Sequence, residues 1–353
     1  MGKLIILTGP VQSGKTTTLM NRFSNSFSLD GFLCPDIDGV RFMYIPSQKR
    51  VVPFQTSDST SVVTIGKFSF HQDVFDSANQ ILINPNILHT EVIVVDEVGP
   101  LELKEKGYFQ NLKWLLERWQ EMDNSNALIL VVREHLIEEV IAKFNLKDAE
   151  IVTKQFFFSD AANSNPINAL ILSGGNSSRM KSDKYLLKYD GVEQYKRFKA
   201  IFDNAQITSV LSCNQHQKIV NDIKVIFDNI EYADGGPLTG ILSCFEELQS
   251  DLIIVGCDYP LVKLFHINIL KQFSDYGFSE IAFVKKDRPN LVEPLICYLR
   301  KSSLIRLKEY YKNGGRSLNA FLQNSNPLKI QLEDDTFLKS FDTIEDYQSY
   351  PNY

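Results

Sequence analysis

The chain has 353 residues, of which 44% are hydrophobic and 23% charged, and its formal net charge at pH 7 is −6. This length and composition predict a globular protein of two domains, and the acidic balance argues against nucleic acid or an anionic membrane as a main partner. The five cysteines are scattered without a CxxC pair, and no apolar run reaches about 18 residues, so a disulfide framework, a zinc site and a membrane span are not expected. The first residues run directly into a predicted strand rather than a signal sequence, and we therefore expect a cytoplasmic protein.

A phosphate-binding loop follows the first predicted strand. Lys3–Thr8 is apolar, and the next nine residues, GPVQSGKTT, match the pattern G-x-x-x-x-G-K-T between a strand and a helix. In this pattern, backbone N–H groups cradle phosphates, Lys15 reaches the terminal phosphates and Thr16 binds Mg²⁺. The predicted nucleotide-binding residues here are Gly9, Gly14, Lys15, Thr16 and Thr17.

An acidic pair follows the apolar segment at residues 91–95. An acidic residue at the end of a neighbouring strand completes the magnesium shell in phosphate-loop enzymes, so Asp96 is a predicted metal ligand. Glu97 is predicted to orient or activate the attacking water and is therefore a candidate catalytic residue. An ordinary polar turn is the alternative interpretation, but the phosphate loop favours a nucleotide site.

The string VVDEVGPLEL, which contains both acidic residues, resembles the small nucleoside-triphosphatases that carry a DEIGPLEL-type motif. Three more strings are similar to that family: DGFLCPDIDGVRFMY at 30–44, IGKFSF at 65–70 and VVREHLIEEV at 131–140. The resemblance covers residues 2–152 and implies hydrolysis of nucleoside triphosphates with a loose base preference. Arg133 follows a predicted strand, where it either faces the phosphates or lies exposed on the surface.

The first half of the chain alternates predicted strands with amphipathic helices. Residues 107–121 and 136–144 carry apolar side chains at helical spacing. This alternation predicts a mostly parallel sheet covered on both faces. The segment SDAANSNP at residues 159–166 is polar and ends in proline, so it is the best candidate linker. We therefore predict a P-loop nucleoside-triphosphatase domain at 1–158, a linker at 159–166 and a second domain at 167–353.

A second glycine loop lies in the segment INALILSGGNSSRMKSDKYLL, residues 167–187. An apolar strand leads into small residues and then into two cations, and this order suits the backbone donors and positive charge that a triphosphate needs. The residues concerned are Leu172, Ser173, Gly174, Gly175, Arg179 and Lys184. A glycine turn with solvated basic residues is the alternative for the bare GG pattern.

Predicted strands of this half end in polar side chains. These side chains are Ser173, Asn214, Asp228 and Asp258. In open parallel sheets, ligands bind beyond the carboxyl ends of the strands, so we expect the four to line one nucleotide site. Each one alone could be a turn or cap residue, but their shared position at strand ends favours a site.

The string GGNSSRMKSDK resembles the nucleotide-binding signature of the molybdenum cofactor guanylyltransferases, the MobA family. Later strings are similar to blocks of that family in the same order: SCN at 212–214, VIFD at 225–228, GGPLTGIL at 235–242, VGCDYPLV at 255–262, LVEPLICYL at 291–299 and GRSLNAFL at 315–322. Two departures stand out. Lys181 replaces the usual glycine after Arg-Met, and FDTIEDY at 341–347 replaces an asparagine-threonine-proline pattern.

The resemblance implies transfer of GMP from GTP to molybdopterin-bound molybdenum cofactor, with formation of the guanine dinucleotide and release of pyrophosphate. Asp258 is then the Mg²⁺ ligand, and Arg179 and Lys184 stabilise charge on the phosphates; these three are the predicted catalytic residues of the second domain. The resemblance also assigns Asn214 and Asp228 to the guanine nucleotide.

The predicted fold class is α/β, with two doubly wound, mostly parallel-sheet domains: a P-loop NTPase fold and then a Rossmann-like nucleotidyltransferase fold. The expected partners are GTP and other nucleoside triphosphates, a molybdopterin-type acceptor, and molybdoenzymes or their chaperones, with Mg²⁺ as cofactor. One alternative is cytidylyl or other nucleotidyl transfer, although the Asp-Lys pair at 183–184 favours the guanylyl branch. The other alternative is an N-terminal GTP-binding adapter instead of a hydrolase.

Overall fold

The computed structural model describes residues 2–24, 28–56, 62–65, 68–122, 126–158, 165–173, 183–218 and 220–350. The chain divides into two compact units, Met1–Ala162 and Asn163–Tyr353, and each has its own hydrophobic core. Within the described ranges, no helix is long and apolar enough to cross a membrane.

The first unit alternates strands and helices. Its strands are β1 (Lys3–Thr8), β2 (Leu29–Phe32), β3 (Asp36–Ile37), β4 (Val40–Ile45), β5 (Arg50–Pro53), β6 (Gln55–Thr56), β7 (Val62–Ile65), β8 (Phe68–His71), β9 (Val92–Val98), β10 (Ala127–Val132) and β11 (Glu150–Thr153). Its helices are α1 (Lys15–Phe23), α2 (Gln72–Leu82), α3 (Pro100–Leu103), α4 (Phe109–Glu121) and α5 (Ile137–Phe144). The two amphipathic helices expected from the sequence are therefore present as α4 and α5.

A parallel sheet in the order β11-β1-β10-β9-β2 organises this unit, and every neighbouring pair runs parallel. Leu4 and Ile6 of β1 belong to the same core cluster as the apolar face of α4. Ile5 and Leu7, which point to the opposite face of the sheet, are buried as well. Apolar packing on both faces is what a parallel sheet requires, and it confirms the predicted fold class.

Antiparallel strands are inserted between β2 and α2. Strand β4 pairs with β3 and β5, while β8 pairs with β6 and β7. This insertion is not predicted from the sequence, because strands of two to six residues leave too short a pattern to recognise. The insertion bears on function, since β4 carries an arginine into the candidate site of this unit.

The second unit also mixes strands and helices. Its strands are β12 (Ile167–Leu172), β13 (Lys188–Tyr189), β14 (Val192–Glu193), β15 (Thr208–Cys213), β16 (Lys224–Phe227), β17 (Asp251–Gly256), β18 (Glu280–Lys285), β19 (Arg288–Leu299) and β20 (Leu328–Gln331). Its helices are α6 (Gln194–Asn204), α7 (Pro237–Leu248), α8 (Leu264–Asp275), α9 (Lys301–Lys312), α10 (Leu318–Ser325) and α11 (Ile344–Ser349).

The main sheet of this unit runs in the order β16-β15-β12-β17-β19-β18-β20. Strands β16, β15, β12 and β17 are parallel, whereas β19 is antiparallel to both β17 and β18. The fold class of mostly parallel sheets holds here too, with β19 as its antiparallel member. The carboxyl ends of the four parallel strands share one edge, where a doubly wound sheet binds its ligands.

Helix α7 packs unusually close to that edge. A Cβ atom on Gly240 would lie 2.4 Å from Ser212 Oγ and 2.9 Å from Leu172 Cδ2, so a side chain there would force the helix away from β12 and β15. The glycine inside GGPLTGIL is therefore explained by close packing of helix on sheet rather than by backbone conformation.

A buried histidine is expected to make the stability of the second unit depend on pH. His266 stacks on Phe337 with 3.8 Å between ring centroids, and its Nδ1 accepts a hydrogen bond from the Lys263 N–H at 2.9 Å. Burial lowers the pKa of His266 to about 4; the charge of Lys263 adds to this effect and Asp334 opposes it.

Because the unfolded chain binds this proton near pH 6.5 and the folded chain does not, the neutral histidine contributes stability above pH 6.5 that is lost as the pH falls towards 4. We expect a loss of up to about 3 kcal/mol in the free energy of unfolding over that window. Thermal unfolding at pH 7 and pH 5 should show a smaller pH dependence for His266→Gln than for the wild type. His135→Gln, at an exposed position, is the control, and equal pH dependence in all three proteins would contradict the prediction.

Candidate active sites

The phosphate-binding loop joins β1 to α1 in the first unit. Gly14 is the N-cap of α1 with φ 84°, a left-handed conformation that a side chain would strain. The helix begins at Lys15, and its first N–H groups are available to an anion. Lys15 Nζ donates hydrogen bonds to the carbonyls of Gly9 at 3.0 Å and Pro10 at 2.8 Å. Burial lowers the pKa of Lys15, although the charges of Asp96 and Glu97 act in the opposite direction.

Asp96 lies opposite this loop, as the sequence predicts. Its Oδ2 accepts hydrogen bonds from Thr16 Oγ1 at 2.8 Å and from the Cys34 N–H at 2.9 Å. Asp96 is only 1% exposed, and burial together with the charge of Glu97 raises its pKa to about 6. A hydroxyl and a carboxylate oxygen this close form a donor set that suits a hard divalent cation.

The position of the acidic pair within its strand differs from expectation. The predicted strand covers residues 91–95, but β9 continues to Val98. The pairing of β9 with β10 shifts register between Leu130 and Val132, so three steps on β9 match two on its partner. Glu97 lies in this bulge with φ 64°, and the extra residue alters where its side chain points.

Two arginines contact Glu97 in the same cavity. Arg41 Nη1 forms an ion pair with Glu97 Oε1, and Arg133 Nη2 lies 3.6 Å from Glu97 Oε2. The structure thus places Arg133 in the site, where the sequence left it open. Arg41 is not among the predicted site residues, although the string that contains it, DGVRFMY, is part of the family resemblance. The cavity has a volume of about 240 Å³, and Lys15, Thr16, Asp96, Glu97, Arg41 and Arg133 are among its lining residues.

The strand-end residues of the second unit lie around a single cavity of about 620 Å³. Its lining includes Leu172, Ser173, Lys184, Asn214, Asp228 and Asp258. Three other predicted residues, Gly174, Gly175 and Arg179, lie outside the described residues. The structure therefore brings together every described member of the set predicted for this unit.

Gln217 links the ends of the two central strands and was not predicted. Its Oε1 accepts hydrogen bonds from Ser173 Oγ at 2.8 Å and from the Asn214 N–H at 2.9 Å. Its Nε2 donates to Asp183 Oδ1 at 3.3 Å, next to Lys184 in the chain. A lone glutamine in a loop carries no recognisable sequence signal, so only the structure shows that it holds these elements together.

Asp228 follows β16 at the far side of the cavity. Its Oδ1 accepts a hydrogen bond from Ser212 Oγ at 3.1 Å, and its backbone N–H donates to the Cys213 carbonyl at 2.9 Å. Burial raises the pKa of Asp228, while the Ser212 hydrogen bond opposes the rise. The carboxylate is thus oriented by the neighbouring strand β15.

The segment before α11 reaches Asp258 and Lys184. Lys184 Nζ lies 2.7 Å from Asp342 Oδ1 and 3.9 Å from Asp258 Oδ2. Ser340 Oγ lies 3.3 Å from Asp258 Oδ2 and 2.7 Å from Asp342 Oδ2, and the Phe341 N–H donates to the Asp258 carbonyl at 2.8 Å. Burial raises the pKa of Asp258, and the Lys184 charge opposes the rise. Asp342, which contacts Lys184 beside the cavity, is not among the predicted site residues, because it lies in the segment that departs from the family pattern.

The carboxylates of Asp258 and Asp342 provide hard oxygen ligands on either side of one lysine. This donor set fits a divalent cation, provided that the Lys184 ammonium turns towards a phosphate. Within the described ranges, no group of three or more His, Cys, Asp or Glu side chains is arranged to hold a metal ion. A cation here would therefore draw further ligands from its substrate or from water, as Mg²⁺ commonly does.

The fold and these sites define two nucleotide-binding units, one of the P-loop class and one of the Rossmann-like class. Residues 4–155 match the family model for an NTPase, and residues 169–328 match the family model for a MobA-like NTP transferase domain. The chain therefore belongs to the NTPase family in its first part, and its second part matches a MobA-like NTP transferase domain. It is a nucleotidyltransferase that carries an NTPase domain.

Named relatives of both kinds are similar to this chain. Nucleoside-triphosphatase THEP1 of Saccharolobus solfataricus is 30% identical over 142 residues, which is 36% of this chain and 74% of that protein. Molybdenum cofactor guanylyltransferase of Histophilus somni (strain 2336) is 27% identical over 193 residues, which is 53% of this chain and 96% of that protein. Among solved structures, molybdopterin-guanine dinucleotide biosynthesis protein A from Archaeoglobus fulgidus matches with a TM-score of 0.42 and 15% identity over 52% of this chain and 97% of that one. The family matches confirm both resemblances drawn from the sequence.

Proposed function

We propose that the second domain transfers GMP from GTP to the molybdenum cofactor, forming the guanine dinucleotide cofactor and pyrophosphate. The observation that carries this proposal is the convergence of Ser173, Asn214, Asp228 and Asp258 on one cavity at the carboxyl ends of parallel strands. The names of relatives that match this half support guanine as the base and a molybdopterin-type acceptor. We place the two domains at 1–158 and 167–353, joined by a linker at 159–166.

In this reaction an oxygen of the acceptor phosphate bonds to the α-phosphorus of GTP, and the bond from that phosphorus to the α,β-bridging oxygen breaks. Lys184 and Arg179 would offset charge on the departing pyrophosphate, since phosphoryl chemistry depends on positioning and charge neutralisation. Asp258, together with Asp342, would hold Mg²⁺, which would reduce the repulsion between the phosphate oxygens. Leu172, Ser173, Gly174 and Gly175 would contact the phosphates through the loop backbone.

We further propose that the first domain hydrolyses nucleoside triphosphates. Gly9, Gly14 and Thr17 of the loop would bind phosphate, and Thr16 with Asp96 would hold Mg²⁺. Glu97 shares a cavity with Lys15, so its carboxylate would stand beside the terminal phosphate. A GTP-binding adapter needs no carboxylate there, and this placement therefore favours a hydrolase.

Asp228 is proposed to read guanine, because one carboxylate can accept hydrogen bonds from both N1 and N2 of that base. Leaving these donors unpaired costs about 1–3 kcal/mol, so Asp228→Ala should lower the preference for GTP over other triphosphates by roughly ten- to a hundred-fold. Asp228→Asn, which keeps the shape and one acceptor, should show a smaller loss. Asp203→Ala, at an exposed position on α6, is the matched control.

The measurement is competition between GTP, CTP and ATP for transfer to molybdenum cofactor by the full-length protein, with products identified by mass. We expect the wild type to form the guanine dinucleotide. A wild type that transfers CMP better than GMP would overturn the guanylyl assignment and leave nucleotidyl transfer standing. Absence of transfer from every nucleotide would remove the proposed reaction of the second domain.

A further inference from the structure

The first domain holds two arginines against one carboxylate in its candidate site, and this arrangement suggests a role for them. We infer that Arg41 and Arg133 are catalytic arginines of triphosphate hydrolysis that exchange partners, pairing with Glu97 before a triphosphate enters and with its γ-phosphate afterwards. The exchange frees Glu97 to act on the attacking water. This inference rests on the proposed hydrolysis and adds the residues that couple substrate binding to activation of the carboxylate.

Position within the cavity supports this role. Arg41, Arg133 and Glu97 line the same cavity as Lys15 and Thr16. In a phosphate-loop site the lysine marks the terminal phosphates, so guanidinium groups in this small cavity lie within reach of the γ-phosphate. The side chains of Arg41, Arg133 and Glu97 are 25%, 43% and 30% exposed, and each is thus accessible to a ligand.

The backbone that carries Arg41 is tied to the rest of the site. Arg41 lies on β4 opposite Asp36 of β3, and the Phe42 N–H donates to the Pro35 carbonyl at 2.9 Å. Cys34, two residues before β3, donates its N–H to Asp96 Oδ2 at 2.9 Å. The hairpin formed by β3 and β4 is therefore anchored on Asp96. Arg41 comes from the same chain as the phosphate loop, its backbone is held in place by the hairpin, and its side chain is accessible. Such preorganised charge is what stabilises a transition state effectively.

The contacts of Glu97 explain why the exchange matters. Arg41 engages Oε1 and Arg133 lies 3.6 Å from Oε2, so both carboxylate oxygens of Glu97 already face a cationic partner. The site holds three cations, since Lys15 accompanies the two arginines, and a triphosphate carries more negative charge than one carboxylate. The phosphate oxygens therefore compete with Glu97 for both guanidinium groups, and planar guanidinium groups suit phosphate well.

The chemical step balances as an ordinary hydrolysis. The water oxygen bonds to the γ-phosphorus while the bond from that phosphorus to the β,γ-bridging oxygen breaks, giving a nucleoside diphosphate and inorganic phosphate. Glu97 takes the proton from the water and passes it to solvent or phosphate afterwards. Arg41 and Arg133 offset the charge on the γ-phosphate and on the leaving diphosphate.

The kinetic test compares full-length Arg41→Gln, Arg41→Lys, Arg133→Gln and wild type for phosphate release from GTP. We expect both glutamine variants to lower kcat by roughly 100- to 1000-fold. Arg41→Lys should have a kcat as low as that of Arg41→Gln, because an ammonium cannot bind two phosphate oxygens as a planar fork. Since lysine keeps a positive charge beside Glu97, a low kcat in this variant does not come from misfolding around an unpaired carboxylate. Arg118→Gln is the matched control, since Arg118 is an exposed partner of Glu121 on α4.

The binding test separates partner exchange from a structural ion pair. Glu97→Gln keeps almost the same shape but has no charge with which to compete for the arginines. The ratio of the affinity for a non-hydrolysable GTP analogue to the affinity for GDP should therefore be about ten-fold higher in this variant than in the wild type. A purely structural pair would change the thermal unfolding midpoint and leave this ratio unchanged. An unchanged ratio, or wild-type kcat in both arginine variants, would overturn the inference. If the wild type hydrolyses no triphosphate, the proposed hydrolysis is wrong. The ratio of analogue affinity to GDP affinity still shows in that case whether the arginines exchange partners.

Discussion

Asp258→Ala is expected to abolish guanylyl transfer, by more than about 100-fold, while phosphate release from GTP by the first domain continues. The variant removes a carboxylate, 17% exposed, that contacts Lys184 and Ser340 and lines the cavity of the second unit. It removes the proposed ligand of Mg²⁺, and it also removes one of the two carboxylates that Lys184 contacts among the described residues. Binding of GTP should weaken less than turnover, because the base and the loop contacts are retained.

The measurement is formation of the guanine dinucleotide cofactor by mass, alongside equilibrium binding of GTP. Asp287→Ala is the matched control, since Asp287 is exposed beside Arg288 and lies outside the cavity. Transfer at the control rate by Asp258→Ala would show that the proposed metal ligand is wrong. Loss of GTP binding equal to the loss of transfer would instead point to a role for Asp258 in substrate binding alone.

Lys15→Ala is expected to abolish triphosphate hydrolysis, also by more than about 100-fold, and to leave guanylyl transfer largely intact. Lys15 Nζ lies at the phosphate loop within hydrogen-bonding distance of the Gly9 and Pro10 carbonyls, and no shorter side chain can bring a positive charge to that point. The two activities should separate because each proposed domain has its own cavity and its own core.

Phosphate release and dinucleotide formation are measured in the same preparation of Lys15→Ala, with Lys113→Ala as the control. Lys113 is exposed on α4 and lies 3.9 Å from Glu117, so its loss should affect neither activity. If both activities fell together in a folded Lys15→Ala protein, the proposal of two independent sites would be wrong.

Elements whose geometry is local could be predicted from the amino-acid sequence. The phosphate loop is one contiguous stretch, and Gly14 takes the left-handed conformation needed for α1 to begin at Lys15. The strand-end positions of Ser173, Asn214 and Asp228 could also be predicted, because the carboxyl ends of parallel strands necessarily share an edge. Contacts at Gly174, Gly175 and Arg179 stay predictions, since these residues lie outside the described part of the chain.

Contacts between side chains that are distant in the chain depend on the tertiary fold at both sites. Arg41 meets Glu97 across 56 positions of chain because a hairpin anchors on Asp96 and a bulge turns Glu97. Asp342 meets Lys184 across 158 positions because the segment before α11 hydrogen-bonds to the backbone of Asp258. Such meetings depend on register, bulges and packing of separate elements, which local periodicity does not encode. The charged partners of Glu97 and Lys184, which are Arg41 and Asp342, therefore could not be identified from any single stretch of sequence.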